Sequence, residues 1–236
     1  MFKKIAIFSL ILSMVACSPA QLQQALGTVL DSPLTSAEAG AGLKEALNIG
    51  ISKGSDQLSQ VDGYFKSPYK ILLPAEARKI TDKLKNVPGF SSVENVILEK
   101  INRGAEDAAK KAKPIFVSAI RGMTFGDAMD ILFGSKDAAT RYLERTTSDQ
   151  LYAEFNPIIV ESLDKFSARK YWSDAVTTYN KIPFIEKANP NLDEYVTKEA
   201  LKGLFGMVEK EELNIRENIV ARTTDLLKKV FAKQDK

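Results

Sequence analysis

Apolar residues recur at intervals of three and four along most of this chain, the spacing of one face of an α-helix. Each such face must pack against another surface, and the 44% of residues that are apolar suffice for a sizeable core. The sequence therefore predicts an all-α fold, a single multi-helix bundle. The clearest stretches are Val93, Ile97, Ile101, Ala105, Ala108, Ala109 and Ala112; Leu201, Leu204, Phe205 and Val208; and Leu226, Leu227, Val230 and Phe231.

Two prolines and one short apolar run indicate where the first helices begin and end. Pro74 suits the first turn of a helix that stops near residues 87–89. Pro114 is expected to break or kink a helix that starts near Ser92. Residues 69–73 form the only plausible strand, and it is too short and isolated to make a sheet.

Further boundaries are predicted in the second half of the chain. Thr124 is compatible with an N-cap of a short helix that Gly134 ends. Residues 146–148 offer caps for a later helix, which Pro157 is expected to interrupt. Asp193 can cap the next long helix.

The N-terminus reads as an export signal of the lipoprotein type. Two lysines at residues 3–4 precede an apolar segment over residues 5–15, and the sequence Met-Val-Ala-Cys ends at Cys17. This order predicts cleavage after Ala16 and lipid attachment to the Cys17 thiol. The alternative, a membrane-spanning helix, needs about 20 apolar residues, and this run is too short.

These features divide the chain into a signal peptide over residues 1–16, a lipidated tether over 17–36 and a helical domain over 37–236. Cys17 is the only cysteine, so the mature protein has no disulfide. By resemblance to lipoproteins of bacteria with two membranes, Ser18 after the cysteine favours the periplasmic face of the outer membrane. The predicted location is the bacterial cell envelope, with the membrane bound through the lipid on Cys17.

Composition argues against several classes of function. The 33 basic and 30 acidic residues nearly balance, so the sequence lacks the excess of positive charge that binds nucleic acid. The chain has no histidine, which excludes the Ser-His-Asp triad and histidine-ligated zinc or haem. The acidic run at residues 209–212 lacks the spacing of a calcium loop and is interpreted as a solvated helix face. We therefore predict that the protein uses no cofactor, binds no metal and does not bind nucleic acid.

Two Ser-x-x-Lys matches could in principle pair a serine nucleophile with a lysine base. They begin at Ser67 and Ser162, with Lys70 and Lys165 in the base position. Neither has the companion motifs of penicillin-binding enzymes, and the predicted fold lacks their sheet. We predict no catalytic residue.

Two polar groups beside apolar stripes are the candidate ligand or partner contacts. Asn102, Arg103 and Glu106 can meet on one surface of a helix. They form either a local polar contact between helices or a polar anchor inside a ligand groove. Arg222 precedes the last apolar stripe, where it is expected to make a structural bond while Thr223 or Thr224 caps the helix.

Several sequence blocks occur in a fixed order along the predicted domain. They are residues 43–47 (LKEAL), 62–64 (DGY), 71–74 (ILLP), 102–106 (NRGAE), 123–128 (MTFGDA), 138–142 (AATRY), 195–197 (YVT), 200–205 (ALKGLF) and 221–227 (ARTTDLL). With these blocks the chain resembles the bacterial exported proteins grouped as domain of unknown function family 4197. The resemblance implies a helical, exported protein and no particular activity. Gly104 stands where the family pattern has alanine, a change that should still allow close helix approach.

Three functional hypotheses remain open from the sequence. The first is a non-enzymatic interaction or scaffold protein on the periplasmic side, which contacts an unknown protein or another envelope component. The second is a helical carrier for a lipid or other hydrophobic ligand, with Arg103, Glu106 or Arg222 holding its polar head. The third is a histidine-independent hydrolase.

Overall fold

The computed structural model describes residues 33–188, 191–232 and 235, and it confirms the predicted helical bundle. Nine α-helices and one 3₁₀ turn make up this described part, which contains no strand. Their bounds are α1 Ser36–Leu58, α2 Ala75–Leu84, α3 Val93–Ala109, α4 Ala112–Gly122, α5 Phe125–Leu132, α6 Ala138–Lys165, α7 Ala168–Tyr179, α8 Asp193–Glu217, the 3₁₀ turn Ile219–Ala221 and α9 Asp225–Phe231. The predicted signal peptide, Cys17 and most of the tether lie outside the described residues.

The two long helices α6 and α8 pack against each other and organise the core. Helix α1 packs on α8, and α3 packs on α6. Glycines bring these helices close, since a Cβ on Gly54 of α1 would lie 2.8 Å from Met207 Cγ of α8. A Cβ on Gly104 of α3 would likewise lie 2.8 Å from Leu163 Cδ2 of α6. The close approach expected at Gly104 is therefore present.

Most predicted boundaries of the first helices, and the predicted cap of the last helix, are confirmed. Pro74 occupies the N-cap position of α2, and Thr124 caps α5 with a reciprocal bond to Asp127. Pro114 lies in the first turn of α4, after a break between α3 and α4. Thr224 caps α9 by accepting a hydrogen bond from the Leu227 amide at 3.2 Å. Residues 70–74 belong to no helix or strand.

The predicted interruptions of α6 are wrong. The helix runs unbroken past residues 146–148, where the Thr147 hydroxyl donates to the Leu143 carbonyl instead of capping a new helix. It also continues through Pro157, because Phe155 and Ile159 on either side are fully buried in the core. Tertiary packing here outweighs the local preference of proline for a helix start.

Asp193 is the first residue of α8 and does not cap it, because Leu192 occupies the N-cap position. The Asp193 carboxylate lies 3.2 Å from the Arg169 guanidinium of α7. This ion pair links the start of α8 to α7.

The interpretation of residues 209–212 as a solvated face is also wrong. Glu209 is exposed, but Glu211 and Glu212 are buried. The Glu212 carboxylate accepts hydrogen bonds from the Ala139 and Thr140 amides at 3.0 and 2.9 Å. These amides belong to the first turn of α6, where backbone donors have no partner within the helix. A buried carboxylate is therefore the cap of α6, supplied by another helix.

Arg216 completes this connection between three helices. Its Nε donates to Glu212 Oε1 at 2.9 Å, and a terminal nitrogen donates to the Ile131 carbonyl at 2.9 Å. Ile131 lies at the end of α5, where carbonyls lack helical partners. The pair from α8 thus joins the end of α5 to the start of α6.

Among the described residues, no helix combines the length and apolar character needed to cross a bilayer.

We expect Glu212→Ala to lower the free energy of unfolding by about 3 kcal/mol, because it leaves the Arg216 charge without its carboxylate and two amides without acceptors. Glu217→Ala is the matched control, since Glu217 is exposed and pairs with exposed Lys136. That control should cost less than about 1 kcal/mol. Urea unfolding followed by circular dichroism measures both. Equal losses in the two variants would contradict this account of Glu212.

Candidate functional site

The structure places Asn102 in the core, bonded on three sides to backbone. Its Oδ1 accepts from the Ile71 amide at 2.9 Å, and its Nδ2 donates to the Ile71 carbonyl at 2.9 Å. A further bond of 2.7 Å from Nδ2 reaches the Leu98 carbonyl. One amide side chain therefore pairs with both backbone groups of Ile71, as a neighbouring strand would.

Arg103 follows Asn102 directly, and Glu106 lies one turn further along α3. Both bond to the same irregular segment. Glu106 Oε1 accepts from the Tyr64 and Phe65 amides, both at 3.1 Å. Its other oxygen accepts from Arg103 at 2.8 Å, and Arg103 also donates to Asp62 Oδ1 at 2.8 Å. Asn102 and Glu106 thus bond to the backbone of this segment, while Arg103 bonds to the Asp62 side chain.

Electrostatics reinforces this arrangement. Hydrogen bonds from Lys66 and then Arg103 lower the pKa of Asp62 below its usual value. The bond to Glu106 is the main cause that raises the pKa of Arg103. Both directions favour the charged forms, so the ion pairs persist through neutral pH.

Residues 62–74 are named here the clamped segment, because two tyrosines fix its other side to α8. Tyr64 is fully buried and donates to the Ala200 carbonyl at 2.7 Å, and burial raises its pKa. A Cβ on Gly203 would lie 2.8 Å from Tyr64 Cε1, and one on Gly206 would lie 2.9 Å from Tyr69 Cε1. The glycine face of α8 therefore provides the room for both rings.

Arg222 does not join this cluster. Its Nε donates to the Ile215 carbonyl at 3.0 Å, and a terminal nitrogen donates to the Arg216 carbonyl at 2.8 Å. The same nitrogen lies 2.7 Å from Asp235 Oδ1. Arg222 thus caps the end of α8, which is the structural bond expected from the sequence.

A groove runs along α8 beside the clamped segment, and we call it the α8 groove. Its main part has a volume of about 750 Å³. The Phe205 ring and Gly206 of α8 line it, together with Tyr69 and Leu72 of the clamped segment and Thr140 and Glu144 of α6. Tyr195 closes one side, since its hydroxyl donates to the Leu72 carbonyl at 2.7 Å.

A second hollow lies beside the first, between α6 and α8, and we count it as part of the groove. This second part has a volume of about 490 Å³ and shares Glu144, Lys202 and Phe205 with the first. Neither part is lined by Asn102, Arg103 or Glu106. The three candidate residues therefore position a wall of the groove without facing into it.

Sequence reasoning missed the tyrosines and glycines of this site. Gly203 and Gly206 lie three residues apart in α8, so they share a face. That spacing indicates that another segment packs closely against this face of α8. It does not identify which segment of the chain does so. Among the residues that the structure describes, no group of three histidine, cysteine or acidic side chains is placed to hold a metal ion.

We expect Asn102→Ala to lower the free energy of unfolding by about 2–3 kcal/mol, because the amide and carbonyl of Ile71 stay buried without partners. Limited proteolysis should also begin within residues 62–74. Asn95→Ala is the control on the same helix, at an exposed position. Wild-type stability and proteolysis in Asn102→Ala would show that the clamped segment does not depend on this side chain.

Of the comparisons with known proteins, the one with protein families finds a match. A family model described as a protein of unknown function, DUF4197, matches residues 33–232. No curated protein and no solved structure matches this chain. The family match begins just before α1 and ends just after α9, so it covers the whole described bundle. The chain therefore belongs to the DUF4197 family of proteins of unknown function.

Proposed function

We propose that this protein is a lipid-anchored, non-enzymatic binding protein of the bacterial envelope, which holds a polypeptide partner in the α8 groove. The proposal rests on the groove, a long concave surface one wall of which is the clamped segment. Contacts with α3 and α8 hold that wall in place. The clamped segment is bonded to α3 on one side and packed on α8 on the other. Such a wall needs little ordering when a partner binds, which favours affinity.

The length of the groove supports a polypeptide occupant. The lining residues of α8 run from Glu194 to Glu209, a distance of about 22 Å at 1.5 Å per residue. An extended peptide rises about 3.3 Å per residue, so about seven residues would fill the groove. Leu72 and Phe205 offer apolar contact along this path.

The charges along the groove support a partner of mixed charge. The lining includes carboxylates, among them Glu144, Glu199 and Glu209, and cations, among them Arg78 and Lys202. A polyanion such as nucleic acid is bound by segregated positive charge. Lining charges of both signs suit a polypeptide that itself carries both signs, although Lys202 already pairs with Glu199.

The two Ser-x-x-Lys pairs support a non-enzymatic role. Ser67 Oγ donates to the Tyr64 carbonyl at 3.1 Å, while Lys70 Nζ lies 4.5 Å from the centre of the Phe65 ring. A serine nucleophile requires a base within hydrogen-bonding reach. Here the serine bonds to backbone and the lysine stacks on an aromatic ring.

The second pair is organised around a carboxylate. Ser162 Oγ and Lys165 Nζ lie 3.2 and 2.9 Å from the same oxygen of Asp107. Ser162 and Lys165 thus both bond to Asp107, and the serine is not bonded to the lysine that would have to act as its base. Both pairs are thus explained by structure.

The anchor is the other part of the proposal, and the sequence around Cys17 carries it. The bundle begins with Thr35, which caps α1 through a reciprocal bond with Glu38. A tether from Cys17 to this cap would hold the bundle beside the periplasmic face of the outer membrane. The α8 groove would then be presented to polypeptides of that compartment.

Site-specific photo-crosslinking in cells that express the full chain tests the groove. A photo-reactive amino acid at Lys202 should form a discrete polypeptide adduct, and the same group at Lys110, directly after α3, should not. Glu144→Lys should reduce the yield at Lys202 severalfold, because it reverses a charge that lines the groove. Glu154→Lys, an exposed change on the same helix, should leave the yield unchanged. Equal yields at Lys202 and Lys110, or no effect of Glu144→Lys, would contradict the groove assignment.

Mass spectrometry of the protein purified from the same cells tests the anchor independently. The wild-type protein should begin at Cys17 and carry the added mass of a lipid there, and Cys17→Ser should lack both the cleavage after Ala16 and the lipid. A wild-type protein without lipid on Cys17 would contradict the anchor and leave the groove result standing.

A further inference from the structure

A separate cavity lies between α3, α7 and the start of α8. Its volume is about 350 Å³, and its apolar lining includes Ile97, Ile101, Leu163 and Leu192. The indole of Trp172 also lines it. The cavity shares no lining residue with the two parts of the α8 groove. It therefore requires an explanation of its own.

Trp172 carries a donor that the protein leaves unused. The side chain is only 1% exposed, and its Nε1 has no hydrogen-bond acceptor among the described residues. Buried indole N–H groups in folded proteins usually find a partner. The Nε1 atom itself is buried, so the indole ring must turn before an acceptor held in the adjoining cavity can reach this donor.

The cations at the edge of the cavity are already paired with carboxylates. Arg169 lies 2.9 Å from Asp164 and 3.2 Å from Asp193, so it bridges two carboxylates. Lys170 lies 2.7 Å from Asp174. With these cations paired, the cavity offers no free charge to a carboxylate or a phosphate, and an uncharged ligand fits it better.

The turn that shapes one wall of the cavity is held in an uncommon conformation. Ser167, between α6 and α7, has a φ of 54°, in the left-handed region that non-glycine residues rarely adopt. Lys100 of α3 donates to the adjacent Phe166 carbonyl at 2.8 Å. Ala168 and Arg169, which follow directly, line the cavity. Such local strain recurs at ligand sites.

We propose that this cavity binds a small apolar molecule that carries an uncharged carbonyl oxygen, with Trp172 Nε1 as the donor to that oxygen. The volume lies at the lower end of the range of about 300–1,000 Å³ for small-molecule sites. The ligand is thus a compact or medium-chain ketone, ester or amide. This site goes beyond the partner groove and does not depend on it.

The single tryptophan makes the test direct. Trp172 is the only tryptophan in the chain, so one indole N–H resonance appears in a proton–nitrogen correlation spectrum of the isotope-labelled full chain. Menthone and methyl decanoate serve as carbonyl probes, and menthane is the matched hydrocarbon without oxygen. At least one carbonyl probe should shift the indole proton downfield in a saturable manner. Menthane should cause no downfield shift.

Two substitutions on α7 locate the binding. Ser173 lines the cavity, so Ser173→Phe should fill its entrance and weaken binding of the carbonyl probe about tenfold. Thr177→Phe, one turn further along α7 at an exposed position, should leave binding unchanged. Two results would overturn the proposal. They are the lack of a saturable shift with both carbonyl probes, and equal binding in Ser173→Phe and wild type.

Discussion

The architecture of the site depends on hydrogen bonds from α3 side chains to the backbone of the clamped segment. Residues 70–74 belong to no helix or strand, so the Ile71 amide and carbonyl would otherwise be buried without bonds. Asn102 supplies both bonds, and Glu106 supplies the acceptor for two further amides. With these bonds the segment can lie inside an all-helical bundle and still form a firm wall of the α8 groove.

Charged side chains cap three helix ends in the described part of the chain. Glu212 accepts from the first amides of α6, Arg216 donates to the last carbonyls of α5, and Arg222 donates to the last carbonyls of α8. Glu212 and Arg216 lie far along the sequence from the ends they cap, whereas Arg222 lies only six and seven residues after its acceptors. The buried charges of the bundle are therefore committed to its structure, and recognition is left to its grooves and cavities.

The helical spacing of apolar residues was enough to predict the fold class and most boundaries of the first helices, because both depend on local sequence. The continuity of α6 through Pro157 was not predictable, since it depends on burial of the helix among its neighbours. The sequence singled out Asn102, Arg103 and Glu106 because they can meet on one helix face; Arg103 and Glu106 do form an ion pair, whereas Asn102 bonds to backbone groups. It could not show that their partners lie some 30–40 residues earlier in the chain.

Hydrogen exchange of the backbone amides tests most directly whether the clamped segment is a rigid wall. The amides of Tyr64, Phe65 and Ile71 each donate to a side chain of α3. These amides should exchange as slowly as amides in the interior of α3, because opening them requires release of the whole segment. Exchange as fast as that of the loop at residues 184–186 would contradict this prediction, since the groove would then lack a fixed wall.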